Sequence, residues 1–111
     1  MEFKRLNNMT GRDPVLNRRI TTIFINQIEE LKSMLGAIDE KQISSIEFTL
    51  HKIRPSLVIF ELDAIIREFS TLMELIQDKE KADDLKAKCD ELISYLEESI
   101  VKLKIFLNSI S

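Results

Sequence analysis

The sequence predicts an all-α protein, an antiparallel up-down four-helix bundle. Three observations carry this expectation. Apolar residues recur at steps of three and four through most of the chain, the spacing of a single buried helical stripe. Glycine and proline number only two each, so little punctuates that pattern. The interruptions that do occur are short and charged, as links between antiparallel neighbours are. A length of 111 residues suits one hydrophobic core and is too short for two.

In chain order, residues 1–12 are mixed and polar around Thr10-Gly11 and are expected as a flexible N-terminal arm, leaving 13–111 as the bundle. Asp13-Pro14 reads as a helix start: the carboxylate accepts from free first-turn amides, and proline at the first helical position has no N–H to lose. The first helix then places Leu16, Ile20, Ile23, Phe24, Ile28, Leu31, Met34 and Leu35 on its stripe and ends at or just before Gly36. Asp39-Glu40-Lys41-Gln42 resembles a capping box, so the second helix is expected from near Glu40 to about Phe60, with Ile43, Ile46, Leu50, Ile53, Leu57 and Phe60 buried.

The third helix is expected over Asp63 to Ile76, with Ile65, Ile66, Phe69, Leu72, Met73 and Ile76 at helical spacing. A short charged link over 77–81 leads to the fourth, whose stripe is Leu85, Cys89, Leu92, Leu96, Ile100, Leu103 and Phe106 or Leu107. Four such helices cannot bury their stripes singly, which is why a bundle follows.

Charge and composition narrow the function. The formal net charge of −3 arises from 16 basic and 19 acidic residues spread along the chain, which supplies no basic field for nucleic acid or an anionic membrane. Apolar runs reach only four residues, as in Leu57-Val58-Ile59-Phe60, far short of the ~20 that span a bilayer. Lys4 and Arg5 precede no apolar block of signal-peptide length, so the cytoplasm is the expected location. Cys89 is the single cysteine and His51 the single histidine, so neither a disulfide nor a metal-ligand set is expected, and no cofactor. Cys89 reads as a small core residue, and there is too little nucleophile, base or phosphate-binding chemistry here to build a hydrolytic enzyme.

His51 and Pro55 lie four positions apart inside the second predicted helix. His51 stands one position off the apolar stripe, at the margin of the buried face. Imidazole is the side chain that changes charge near neutrality, so its neutral form offers a nitrogen lone pair for nucleophilic attack. Arg54, one turn on, is placed to pair with an anion attached there. Pro55 removes the N–H that would bond the His51 carbonyl, so the helix is expected either to kink there or to break and restart at Pro55.

At these residues the chain resembles the histidine-containing phosphotransfer domain of multistep two-component signalling. That family carries an acceptor histidine on a bundle helix, an apolar residue two positions on, then lysine, glycine and a small residue, with a second glycine ten positions after the histidine. His51, Ile53, Arg54 and Ser56 fit the first, apolar, basic and small positions; Pro55 and Glu61 stand where the glycines are. The resemblance extends in helical pattern over roughly Pro14 to Leu107.

It implies a phosphoryl carrier without catalytic machinery of its own, in which His51 accepts from a receiver-domain aspartate and passes the group to another receiver. Arg54 would neutralise charge on the transferring group, and Phe48, Lys52, Pro55 and Val58 would meet the partner. The partners implied are receiver domains of response regulators or hybrid histidine kinases, which would bring the Mg²⁺. The chain itself would be a monomer or part of a larger signalling chain. The competing reading, which Pro55 and Glu61 favour, is a helical interaction module that is never phosphorylated.

Overall fold

In the computed structural model, which describes residues 3–36, 43–77 and 82–110, every element is a helix. There are five, against the four expected: α1 (Lys4–Thr10), α2 (Pro14–Gly36), α3 (Ile43–Ile59), α4 (Asp63–Gln77) and α5 (Ala82–Ser109). Among the four longer helices each packs on two of the others, α2 and α4 both lying against α3 and α5, and α1 packs on α2. Among the described residues no helix is long and apolar enough to cross a membrane. The expected capping box at 39–42 and the charged link over 78–81 lie outside the described residues.

The start of α2 forms as its sequence dictates. Asp13 Oδ1 accepts from the amides of Val15 at 2.9 Å and Leu16 at 3.2 Å, and Pro14 opens the helix. The buried face of α2 is turned relative to the expected stripe: Phe24, Ile28, Leu31 and Leu35 are buried, but Leu16 and Ile23 are exposed, and Asn17, Thr21 and Ile25 take inner positions. The reason lies in α1. Asn17 Nδ2 donates to Asn7 Oδ1 at 3.0 Å, and the Thr10 hydroxyl lies 2.5 Å from Asn17 Oδ1, so α2 presents a polar side chain inward where α1 packs on it.

The N-terminal segment expected as a flexible arm therefore contains a helix with a buried side. Leu6 is fully buried and Phe3 nearly so. The Phe3 ring meets Phe60 edge-on at 5.3 Å and Phe106 at 4.9 Å, while Phe24 stacks on Phe60 at 4.5 Å. This aromatic cluster closes one end of the molecule. Gly11, at φ +64°, ends α1 in the left-handed conformation that favours glycine.

Pro55 does not break α3. The helix runs continuously from Ile43 to Ile59 with the proline inside it, because Ile53 on one side and Leu57 and Phe60 on the other are all buried in one core. Their burial offsets the roughly 3 kcal/mol that an interior proline costs. The chain turns instead at Glu61, where φ is +58°. The Leu62 amide donates to the Leu57 carbonyl at 2.8 Å and the Glu61 amide to the Val58 carbonyl at 3.0 Å, the paired bonds of a left-handed helix terminus.

The expected α4 and α5 stripes are the buried ones: Ile65, Phe69 and Leu72 on α4, and Cys89, Leu92, Leu96, Ile100, Leu103 and Phe106 on α5. Lys88 bridges these helices, pairing with Glu68 of α4 and lying 3.5 Å from Glu91. The hydrogen bond to Glu68 is the main reason its ammonium holds its proton more tightly than an ordinary lysine, against the opposing effect of burial. Cys89, next in sequence, has its thiol pushed up by burial and then by the nearby Asp90 charge.

Candidate functional site

The face of α3 opposite its core stripe carries the chemistry. With Ile46, Ile53, Leu57 and Phe60 directed inward, helical geometry turns His51, Lys52, Arg54 and Pro55 to solvent, and all four are exposed. His51 sits in the middle of the helix rather than at a fraying end. Neither it nor Arg54 makes a hydrogen bond or ion pair with any described residue, so both heads are available to an incoming group.

His51 and Arg54 share the wall of an open cleft of about 290 Å³ between α3 and α4. From α3 the cleft is lined by Glu47, Leu50, His51, Arg54 and Leu57; from α4 it is lined by Ile66, Phe69, Ser70 and Met73. The floor is hydrocarbon and the rim polar. The cleft unites the acceptor and the basic residue expected from sequence, and it adds Glu47, a carboxylate one turn before His51. Among the described residues no group of three or more His, Cys, Asp or Glu side chains is placed to hold a metal ion.

The other expected contact residues surround this site without lining the cleft. Phe48 is 72% exposed, the most exposed large apolar side chain described. With Lys52 and Pro55 it lies on the side of His51 that faces away from α4, by helical position. Val58 is 41% exposed, two turns from His51. Its carbonyl accepts from the Arg5 guanidinium at 2.9 Å, and the same guanidinium lies 3.3 Å from Asp63 in the first turn of α4. Arg5 thus ties α1 to the corner between α3 and α4.

The α4 wall and Arg5 are what sequence reasoning missed. Ile66, Phe69 and Met73 carry a helical stripe and read simply as core; only the parting of α4 from α3 leaves part of that stripe facing a cleft. Arg5 gave no signal at all, since its partners lie 53 and 58 residues away.

Comparisons of the chain with family models, with curated proteins and with solved structures find no match. The functional reading therefore rests on the site.

Proposed function

We propose that the chain is a phosphorelay intermediate of multistep two-component signalling, with α2 to α5 as an antiparallel up-down bundle that presents His51. The observation that carries this reading is His51 itself: an exposed imidazole at mid-helix that bonds to no described residue, with the Arg54 guanidinium, likewise without a partner among the described residues, one turn along the same cleft wall.

The chemistry needs nothing further from this chain. The lone pair of a neutral imidazole nitrogen attacks phosphorus of an aspartyl phosphate. As the N–P bond forms, the P–O bond to the aspartate breaks and the carboxylate leaves as an anion, while the imidazole gives up its remaining N–H proton to solvent. Arg54 stabilises the negative charge on the phosphoryl oxygens as they move between the two groups. The partner receiver supplies Mg²⁺ and the acidic pocket, and transfer to a second receiver is the same step in reverse.

The turn after α3 lends support. Glu61 occupies the position where the phosphotransfer family carries its second glycine, and its φ of +58° is the conformation that glycine adopts most readily. Pro55, the other departure, leaves the helix intact beneath His51.

A second reading, a helical interaction module that is never phosphorylated, draws on the exposure of Phe48, which suits an interface anchor with or without phosphoryl chemistry. One experiment separates the two. Incubation with phosphorylated receiver domains is expected to give acid-labile, base-stable label on the wild type and none on His51→Gln. Label persisting in His51→Gln, or none on the wild type from any receiver, sinks the relay reading and leaves the interaction module. Arg54→Ala is expected to slow transfer by about tenfold to a hundredfold, the worth of a charge-assisted hydrogen bond, with the helical circular dichroism unchanged.

A further inference from the structure

The side of α2 turned away from Phe24, Ile28, Leu31 and Leu35 carries a second pattern. Leu16, Arg19, Ile23, Asn26, Glu30 and Ser33 follow one another there at steps of three and four, and all six are exposed. That spacing is the seam along which two helices lie side by side. Ile23 is 52% exposed, and Val15, which flanks the seam, 62%, so hydrocarbon stands in solvent where no described helix packs. Val15 and Ile23 line a shallow depression there with Arg18, Arg19 and Thr22.

Charge decides what lies against this seam and which way it runs. Arg19 stands near its start and Glu30 about three turns later, and neither makes a hydrogen bond or ion pair with any described residue. The charges next to them are already committed: Arg18 donates to the Ile110 carbonyl at 3.2 Å, and Glu29 pairs with Lys32 at 3.3 Å. A second copy of the helix laid antiparallel sets Arg19 opposite Glu30 twice, once on each side of a two-fold axis, whereas a parallel copy sets like charges against each other. The register that makes both pairs also sets Leu16 against Ser33 and Ile23 against Asn26, which brings the two Ile23 side chains within one turn of each other at the axis.

We infer that this face of α2 is a self-association surface, on which two copies of the chain pair their α2 helices antiparallel, with Ile23 at the centre and reciprocal Arg19–Glu30 pairs on either side. The inference does not rest on the phosphorelay reading, because none of these residues lines the cleft beside His51. One helix face per copy is small beside the ~1,200–2,000 Å² of stable complexes, so the dimer is weak and reversible, with a dissociation constant on the order of 100 μM.

Sedimentation equilibrium at low salt, with protein up to about 1 mM, tests it. The wild type is expected to dimerise, and more weakly as salt is added. Arg19→Glu and Glu30→Arg are each expected to weaken the dimer by about tenfold or more, since each sets like charges against each other at both pairs. An equimolar mixture of these two variants is expected to associate about as tightly as the wild type, since opposite charges then meet at both pairs. Ile23→Asp is expected to abolish association. All three side chains are exposed, and the helical circular dichroism of each variant is expected to match the wild type. A wild type that stays monomeric across this range overturns the proposal and leaves the face to a different occupant. A dimer that survives Ile23→Asp, or single variants that fail to associate when mixed, overturn it as well.

Discussion

At its end α3 buries Leu57, and Phe60 just beyond it packs against the rings of Phe3 and Phe24, while the last carbonyls are bonded; at His51 and Arg54, two turns earlier, the same helix meets solvent and an open cleft. The first stretch makes the helix rigid and the second uses that rigidity. A side chain on a helix whose following turns are buried in the core is held in place through its backbone, and His51 makes no bond to any described residue. The difference also explains how an interior proline is tolerated between the two stretches: the burial that opposes a break lies on both sides of it.

The strongest way to break this contrast is Phe60→Ala. It removes the ring that both Phe3 and Phe24 touch, and it is expected to destabilise the protein by about 3–5 kcal/mol in urea unfolding. His51→Gln, on the open stretch, is expected to shift the same midpoint by less than about 0.5 kcal/mol. Comparable losses in the two variants would mean that the His51 turn also bears on the core.

The contrast is sharpened by Glu61→Gly. Glycine relieves the left-handed backbone that glutamate holds at the end of α3, and a gain of about 1 kcal/mol is expected, with no change in label on His51. No gain would mean that Glu61 makes a compensating contact. Arg5→Ala is a smaller loosening of the closed end. The Arg5 and Asp63 side chains are each about half exposed, so solvent screens the pair, and the expected loss is about 0.5–1 kcal/mol, read from the thermal midpoint.

The smallest effect is one of pH. The Cys89 thiol and the Lys88 ammonium both hold their protons more tightly in the folded chain. A raised folded pKa gives stability that is complete below the unfolded value and is lost as pH climbs past it. Stability is therefore expected to be flat through neutrality and to begin falling above about pH 8.5, where an unfolded thiol ionises and the buried one does not. Cys89→Ala should delay that fall toward the lysine range; an unchanged profile would rule the thiol out as its source.

Most of the helical frame was legible because it is written in local spacing. The α4 and α5 stripes, the Asp13 cap and the exposure of His51 each follow from residues within two turns of one another. What escaped depends on distant partners. Helix α1 is two turns long with a single buried residue of its own, Leu6, and it depends on distant partners: Phe60 and Phe106 through Phe3, Asn17 through Asn7 and Thr10, and Val58 and Asp63 through Arg5. Leu16 and Ile23 have the right spacing for a core but lie on the side of α2 that no helix covers, since Asn17 and Thr21 hold the inner positions. The His51–Arg54 pair could be placed from one helix alone; the cleft beside it needed two.

The Phe3 contacts have a consequence for how the chain assembles. The hydrogen bond from Arg5 spans 53 residues, and the one from Arg18 to the Ile110 carbonyl spans 92, so the end closed by the aromatic cluster is built from the most widely separated parts of the chain. Loop closure of that length must precede any gain from the contacts it brings. Helix α1 is accordingly expected to seat last, once the ends of α3 and α5 have met, and amide exchange of the native chain is expected to reach it before the helix that carries His51.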